Sequence, residues 1–327
     1  MFLYLNIKSK IFNEKMKKKL KVAFIGGGRT GVEHIKAFKS LDQKIKLVSV
    51  CTQTKKSGVK VTKKFKIEKN YTSIKEMYVE NKPDLVVVCV PIIKLKKIFK
   101  EVVKYKWKIL FEKPLGINLE ETLYLLRQIK DKNQIALALN RNNYCSTLEI
   151  QKIISRDKSE RVITIEDQQN VKNLKKTPLL IKNNYMFANS IHLVDYCRIF
   201  ARGRVLSIQN LFFKKNKEKV WSIKKLKYSS GDIVFFHIKW NLLGPWSLSI
   251  STKKFFFECR PLESLNYQSD KGKKLTKNYK LDQKFKPGFF NQAKEAIKFV
   301  KNQKNNLPNY KDILYTTKLI KKLYREI

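Results

Sequence analysis

The chain has 327 residues, long enough for two domains that each bury a core, and its 43% hydrophobic and 12% aromatic content is that of a globular protein. No apolar run reaches the roughly 18 uncharged residues of a membrane-crossing helix, so no membrane partner is expected. Lysine and arginine outnumber aspartate and glutamate by 71 to 27, a net charge of +44 that must attract anions, yet no zinc-finger spacing, RNP-type aromatic motif or basic region with heptads accompanies it, and a nucleic-acid partner is not expected.

The lysines run along the whole chain in pairs beside many Asn and Ile, the pattern that AT-rich coding drift produces. The five cysteines (Cys51, Cys89, Cys145, Cys197, Cys259) form no C-x-x-C pair, so neither a metal site nor a disulfide framework is suggested, and a reducing cytoplasm fits best. Residues 1–20 read as an N-terminal extension. Their short apolar start has no charged leader and no small-residue cleavage site, which makes a poor signal peptide, and Met16 stands as an alternative start.

From Lys21 to about Asn143 short apolar runs alternate with amphipathic segments. The runs are KVAFI, IKLVSV, DLVVVCV, WKILF and QIALAL, and helices are expected near 29–40, 73–80, 92–105 and 118–131. Continuous apolar strands separated by helices specify an α/β domain, a doubly wound parallel sheet covered on both faces.

After residue 143 the pattern changes. A helix near 145–156 leads into alternating strands (RVITIED, VLSIQNLFF, VWSIKKLKY, DIVFFHIKW, WSLSIST, FFFECR), interrupted by a helix around 189–201. This predicts a second α/β domain over 144–327 with a mostly antiparallel open sheet, one face on helices. The polar stretch from Ser264 to Gly288 reads as a loop or ragged edge, and two helices, 288–303 and 311–325, close the chain.

Gly26, Gly28 and Gly31 stand in G-x-G-x-x-G register after KVAFI and at the mouth of a helix. The first glycine makes the tight turn, the second admits a pyrophosphate to the backbone, and the third lets helix and strand pack closely. Backbone N–H groups of the helix start, at Arg29, Thr30 and Gly31, are then placed to bind phosphate. The second run ends in Cys51, Thr52, Gln53 and Thr54, followed by Lys55 and Lys56. No carboxylate is there to accept from an adenosine ribose, and Thr52 with Lys55 would tolerate and attract a 2′-phosphate, which points to NADP over NAD.

Glu112, Lys113 and Pro114 (EKP) follow the WKILF run, and NSIHLVD opens the helix near 189–201. With the glycine motif, with Val90 and Pro91 in CVPI, with NRNN at 140–143 and with the two final helices, this order closely resembles the Gfo/Idh/MocA family of NAD(P)-dependent sugar and polyol oxidoreductases. The resemblance implies a Rossmann domain over 21–143 and a substrate-binding domain whose open sheet often forms a homo-oligomer interface. It implies that Glu112, Lys113, Val90 and Pro91 border the nicotinamide, that Lys113 faces both cofactor and substrate, that the proline can take a cis peptide bond, and that His192 matches the catalytic histidine. Lysine and histidine suit the chemistry: oxidation of a secondary alcohol releases a proton that one group accepts and builds negative charge that another stabilises. Many members carry aspartate four residues before the histidine; this chain has Ala188, so Asn189 or another group would have to substitute.

Arg141 contacts substrate or holds the domain junction, while His34, His237 and Asp195 read as structural. The expected function is transfer of a hydride to or from a sugar, cyclitol or nucleotide sugar, with an anionic nucleotide sugar of surface-polysaccharide synthesis as the leading substrate. The alternative is a catalytically inactive dinucleotide-binding regulator or scaffold on the same fold, for which Ala188 leaves room.

Overall fold

A computed structural model describes residues 19–171, 174, 177–216 and 219–327, so the alternative start at Met16 lies outside the described residues. The first half alternates β1 (Leu20–Ile25), α1 (Arg29–Lys39), β2 (Ile45–Cys51), α2 (Lys55–Phe65), β3 (Lys69–Tyr71), α3 (Ile74–Asn81), β4 (Leu85–Val88), α4 (Ile92–Val102), β5 (Lys108–Glu112), α5 (Leu119–Arg127) and β6 (Ile135–Ala138). The six strands form one parallel sheet in the order β3-β2-β1-β4-β5-β6. Every residue of LVVV in β4 is buried, as a central strand covered on both faces requires.

Two of these elements are absent from the sequence expectation. Helix α2 buries only Gly58, Val61 and Phe65, too few for a clear period against its five lysines. Strand β3 has three residues, too short for any alternation.

A 3₁₀ turn (Asn140–Asn143) and helix α6 (Cys145–Ile154) lead to the second sheet. There follow β7 (Val162–Gln169), a short α7 (Leu179–Asn183), a π-type turn (Met186–Ser190) and α8 (Ile191–Phe200). The strands β8 (Val205–Lys215), β9 (Val220–Tyr228), β10 (Ile233–Trp240), β11 (Ser247–Ser251), β12 (Phe255–Cys259), β13 (Ser264–Ser269) and β14 (Lys274–Asn278) complete the sheet. Its order is β14-β13-β12-β11-β7-β10-β9-β8, antiparallel except where β7 pairs with β10. The stretch expected as a loop or ragged edge is therefore an edge hairpin, β13 and β14, turning at Gly272 with positive φ. Its exposed lysines hide the strand alternation, as edge strands tend to do.

Short helix α9 (Lys280–Lys284) precedes α10 (Phe289–Val300) and α11 (Tyr310–Leu323). The chain returns to the parallel sheet here: Phe289, Ala293, Ala296 and Ile297 pack with Val22, Phe24, Ile35 and Phe38 in one apolar cluster. Helix α11 starts on a capping box, Asn309 with Asp312, and lies against α8 and α5. One larger cluster runs without a break from the other face of the parallel sheet to the helix-covered face of the second sheet. All five cysteines are free, and no helix among the described residues is long and apolar enough to cross a membrane.

Phe289 is the anchor of the returning segment, 2% exposed and with its ring 4.5 Å from that of His34 on α1. Phe289→Ala should lower folding stability by about 3–5 kcal/mol, the usual cost of emptying an aromatic core site. Urea unfolding would show the midpoint falling; an unchanged midpoint would mean that α10 is not held through this ring.

Candidate functional site

At the C-terminal edge of the parallel sheet the glycine turn is built as its register demands. Gly26 has φ of +98°, and a Cβ there would collide with the carbonyl of Cys89. A Cβ on Gly31 would strike the carbonyl of Gly26, whereas one on Gly28 would meet nothing within 4 Å. The turn is thus closed against the sheet and open above Gly28, the cradle a pyrophosphate needs. Helix α1 starts on Gly28 and α4 on Pro91, neither with a side-chain cap nor an acidic residue in the first turn. Their leading N–H groups, including those of Arg29, Thr30 and Gly31, face the edge without a carboxylate to compete for them. The residues fit a dinucleotide.

Thr52 is buried beside Gly27 and Gly58 and donates its hydroxyl to the Thr54 carbonyl at 2.9 Å. Gln53 accepts from Lys94 Nζ at 2.5 Å. Thr54 caps α2, whose first residues are the exposed Lys55 and Lys56, with no acidic residue in the first turn. The end of β2 therefore presents a helix N-terminus and two cations.

Glu112 ends β5. His34 Nε2 lies 2.7 Å from its Oε1, and the Lys113 backbone N–H donates to its Oε2 at 3.2 Å. Burial raises the Glu112 carboxyl, but the hydrogen bond and charge of His34, with Lys113 and Lys286, outweigh it and hold the group below its ordinary value. His34 thus ties α1 to the EKP segment, a structural role. The Lys113–Pro114 bond is cis.

Lys113 Nζ donates to the Ala188 carbonyl at 2.7 Å, across 75 positions of sequence. Ala188 lies in the π-type turn, four residues before His192, so the bond ties the lysine to the turn that leads into the histidine, close enough for its charge to act there. Burial pulls the Lys113 ammonium down to about 8, Glu112 opposes this, and Arg141 and Lys286 add to it. His192 is 1% exposed; its Nδ1 meets no partner among the described residues. Burial, then the charges of Arg141, Lys113 and Lys286, keep it well below the ordinary histidine range. It is a neutral imidazole.

Arg141 stacks on Trp246 with its guanidinium carbon 4.4 Å from the ring centroid, and the His192 ring lies 6.3 Å from the same indole. Asn189 does not reach Lys113. Its amide donates to Gln169 Oε1 at 2.8 Å and to Tyr185 Oη at 3.2 Å. The π-type turn is held from below by Asp167, which accepts from Ser190 at 2.7 Å, Trp240 at 2.9 Å, Gln169 at 2.5 Å and Tyr324 at 2.5 Å. Burial leaves its carboxyl raised despite these bonds. Asp195, fully buried, binds Asn142, Arg198 and Thr316 and anchors α8.

Sequence reasoning missed Lys286, Trp246, Asp167 and Gln169. Lys286 carried a signal in the Pro-Gly turn after it, where the chain bends back to the site; the others sit in strand patterns that show burial and not purpose. No cluster of three or more His, Cys, Asp or Glu among the described residues could hold a metal ion.

No curated protein sequence matches this chain significantly. Among solved structures it is similar in fold to a dehydrogenase from Chromobacterium violaceum (15% identity, TM-score 0.80, covering 94% of this chain and 95% of that one). Similar too are a levoglucosan dehydrogenase in complex with NADH and levoglucosan (13%, 0.76, 94% and 96%) and the UDP-N-acetylglucosamine 3-dehydrogenase of Acidithiobacillus ferrooxidans (12%, 0.73, 95% and 98%). The family model for the oxidoreductase family with NAD-binding Rossmann fold matches residues 20–141. That model is GFO_IDH_MocA, and its match lies on the parallel-sheet part of the chain.

Proposed function

We propose that the chain is an NAD(P)-dependent dehydrogenase acting on a secondary alcohol or ketone of a sugar, cyclitol or nucleotide sugar. The observation that carries this reading is the bond from Lys113 to the Ala188 carbonyl, which sets an ammonium of lowered pKa beside a buried neutral histidine at the open edge of the glycine turn. Residues 21–143 form the cofactor half and residues 144–327 the substrate half in this proposal. A homo-oligomer through the outer face of the second sheet agrees with the exposed Leu206, Phe212, Trp221 and Phe256 there, and the free thiols agree with a cytoplasmic location.

The cofactor, when bound, supplies the hydride acceptor or donor. It would lie over Gly26, Gly28 and the first turn of α1, with Val90, Pro91 and Glu112 along its nicotinamide end. Lys113, with its pKa lowered to about 8, carries an appreciable neutral fraction near neutrality and accepts the hydroxyl proton. His192 is a poor proton acceptor among three cations; it stays neutral and hydrogen-bonds the reacting oxygen. The Ala188 carbonyl takes over the orienting part that a carboxylate at this position would have, holding the lysine without adding negative charge. Asn189 and Arg141 complete the substrate side. The reading as an inactive regulator rests on Ala188 alone.

NADPH should bind more tightly than NADH, because the end of β2 offers Lys55, Lys56 and a helix start and no carboxylate. Nicotinamide fluorescence titration measures it, and Thr52→Asp should shift the preference toward NADH. A clear preference of the unaltered protein for NADH contradicts the assignment.

Lys113→Met and His192→Asn should each lower kcat by on the order of a hundredfold or more with cofactor affinity nearly unchanged, and the double variant should lose little beyond either alone. Nicotinamide absorbance over a sugar and nucleotide-sugar panel follows turnover. Full turnover by both single variants would remove the two residues from the chemistry; cofactor binding without turnover of any substrate would favour the regulator.

A further inference from the structure

Arg141, Lys113 and Lys286 surround His192 closely enough for the charge of each to act on it. None of the three makes an ion pair among the described residues. The nearby carboxylates are committed elsewhere. Glu112 faces His34 and the Lys113 N–H, Asp282 accepts from the backbone N–H groups of Cys145 and Gly288, and Glu263 accepts from Tyr144 at 3.3 Å.

Arg141 is held rigidly against Trp246, yet its donors are under-used: Nη1 reaches Asn140 Oδ1 at 3.3 Å, and Nε is buried with no acceptor. The fork of a guanidinium fits a carboxylate or phosphate in two parallel bonds. The Lys286 segment is pinned to the 3₁₀ turn that carries Arg141, because Asn140 Nδ2 donates to the Pro287 carbonyl at 2.9 Å, and the charges of both residues act on Lys113 and His192. Its Nζ stands 4.7 Å from the Phe289 ring centroid and remains exposed. A neutral substrate would leave this group of cations unbalanced, and an oxidised nicotinamide would add a further positive charge.

We propose that Arg141 and Lys286 form an oxyanion-recognition site within the substrate crevice, so that the substrate carries a carboxylate or phosphate on the same carbon frame as the reacting hydroxyl. This rests on the dehydrogenase reading for the identity of the crevice and goes beyond it in placing the anionic group on the carbon frame that carries the reacting hydroxyl. The anion sits between the guanidinium and the Lys286 ammonium, supplies the missing counter-charge, and orients the ring toward Lys113 and His192. Ala188 belongs to the same design: a carboxylate in its place would repel such a substrate.

The test is calorimetric titration of the full chain, saturated with NADPH, with D-glucuronate, D-glucose 6-phosphate and D-glucose at low ionic strength. At least one of the two anions should bind about tenfold to a hundredfold more tightly than glucose, the range expected of charge-assisted hydrogen bonds; which of the two does so tells carboxylate from phosphate. Lys286→Gln, at an exposed position that does not disturb the core, and Arg141→Gln should each reduce that preference, while Lys286→Arg should preserve it. Equal affinity for the three ligands, absence of binding by either anion, or a preference untouched by both Gln variants overturns the proposal. NADPH titration of the same samples keeps the two readings apart: failure to bind NADPH is a failure of the dehydrogenase reading, whereas NADPH binding without anion preference is a failure of the anion site alone.

Discussion

The bond from Lys113 to the Ala188 carbonyl is the constraint on which the rest of the site depends. It starts at the end of a parallel strand and finishes in a π-type turn of the other half of the chain, so two separately built layers must agree in position for it to form. Each side is fixed independently. On one, Glu112 is clamped by His34 and the EKP segment has no freedom to slide along α1. On the other, Asp167 gathers hydroxyl, amide and indole donors beneath the turn and joins β7, β10 and the end of α11 to it. A π-type turn re-aims carbonyls relative to a regular helix, and here one of them meets a lysine.

Charge decides how that lysine and its neighbour behave. Burying an ammonium is unfavourable, and burying it near Arg141 and Lys286 is more so, hence the downward shift of Lys113. The same field makes an imidazolium at His192 costlier still. Two groups that would both be basic in water are thereby set apart, the ammonium lowered to about 8 and the imidazole pushed well below its ordinary range. Such an arrangement is at odds with the most stable packing of these residues, a common condition of binding crevices.

Much of the architecture was legible in the sequence because it follows from period and punctuation. KVAFI followed by G-x-G-x-x-G implies a strand, a tight turn and a helix, and Gly26 and Gly31 stand where no Cβ fits. The all-apolar LVVV run could only be a buried parallel strand. Period fails where elements are short or uniformly polar, as with the three residues of β3 and the lysine-rich β14. At the site, Lys113 and His192 were visible through their motifs. The Ala188 carbonyl was not, since a backbone oxygen leaves no mark in the residue that carries it. Lys286 was hidden for a different reason: among 71 cationic residues its charge does not single it out, and only the Pro-Gly turn after it marks the place.

Burial among cationic neighbours lowers the Lys113 ammonium to about 8. Competitive acetylation with trace acetic anhydride across a pH series, read peptide by peptide by mass spectrometry, measures it without knowledge of the substrate. Since a lysine reacts only when neutral, Lys113 should gain its reactivity as pH rises through about 8, roughly two units before a lysine model peptide added as internal standard, whose reference value is about 10.4. A Lys113 that gains reactivity together with that standard would contradict the lowered pKa.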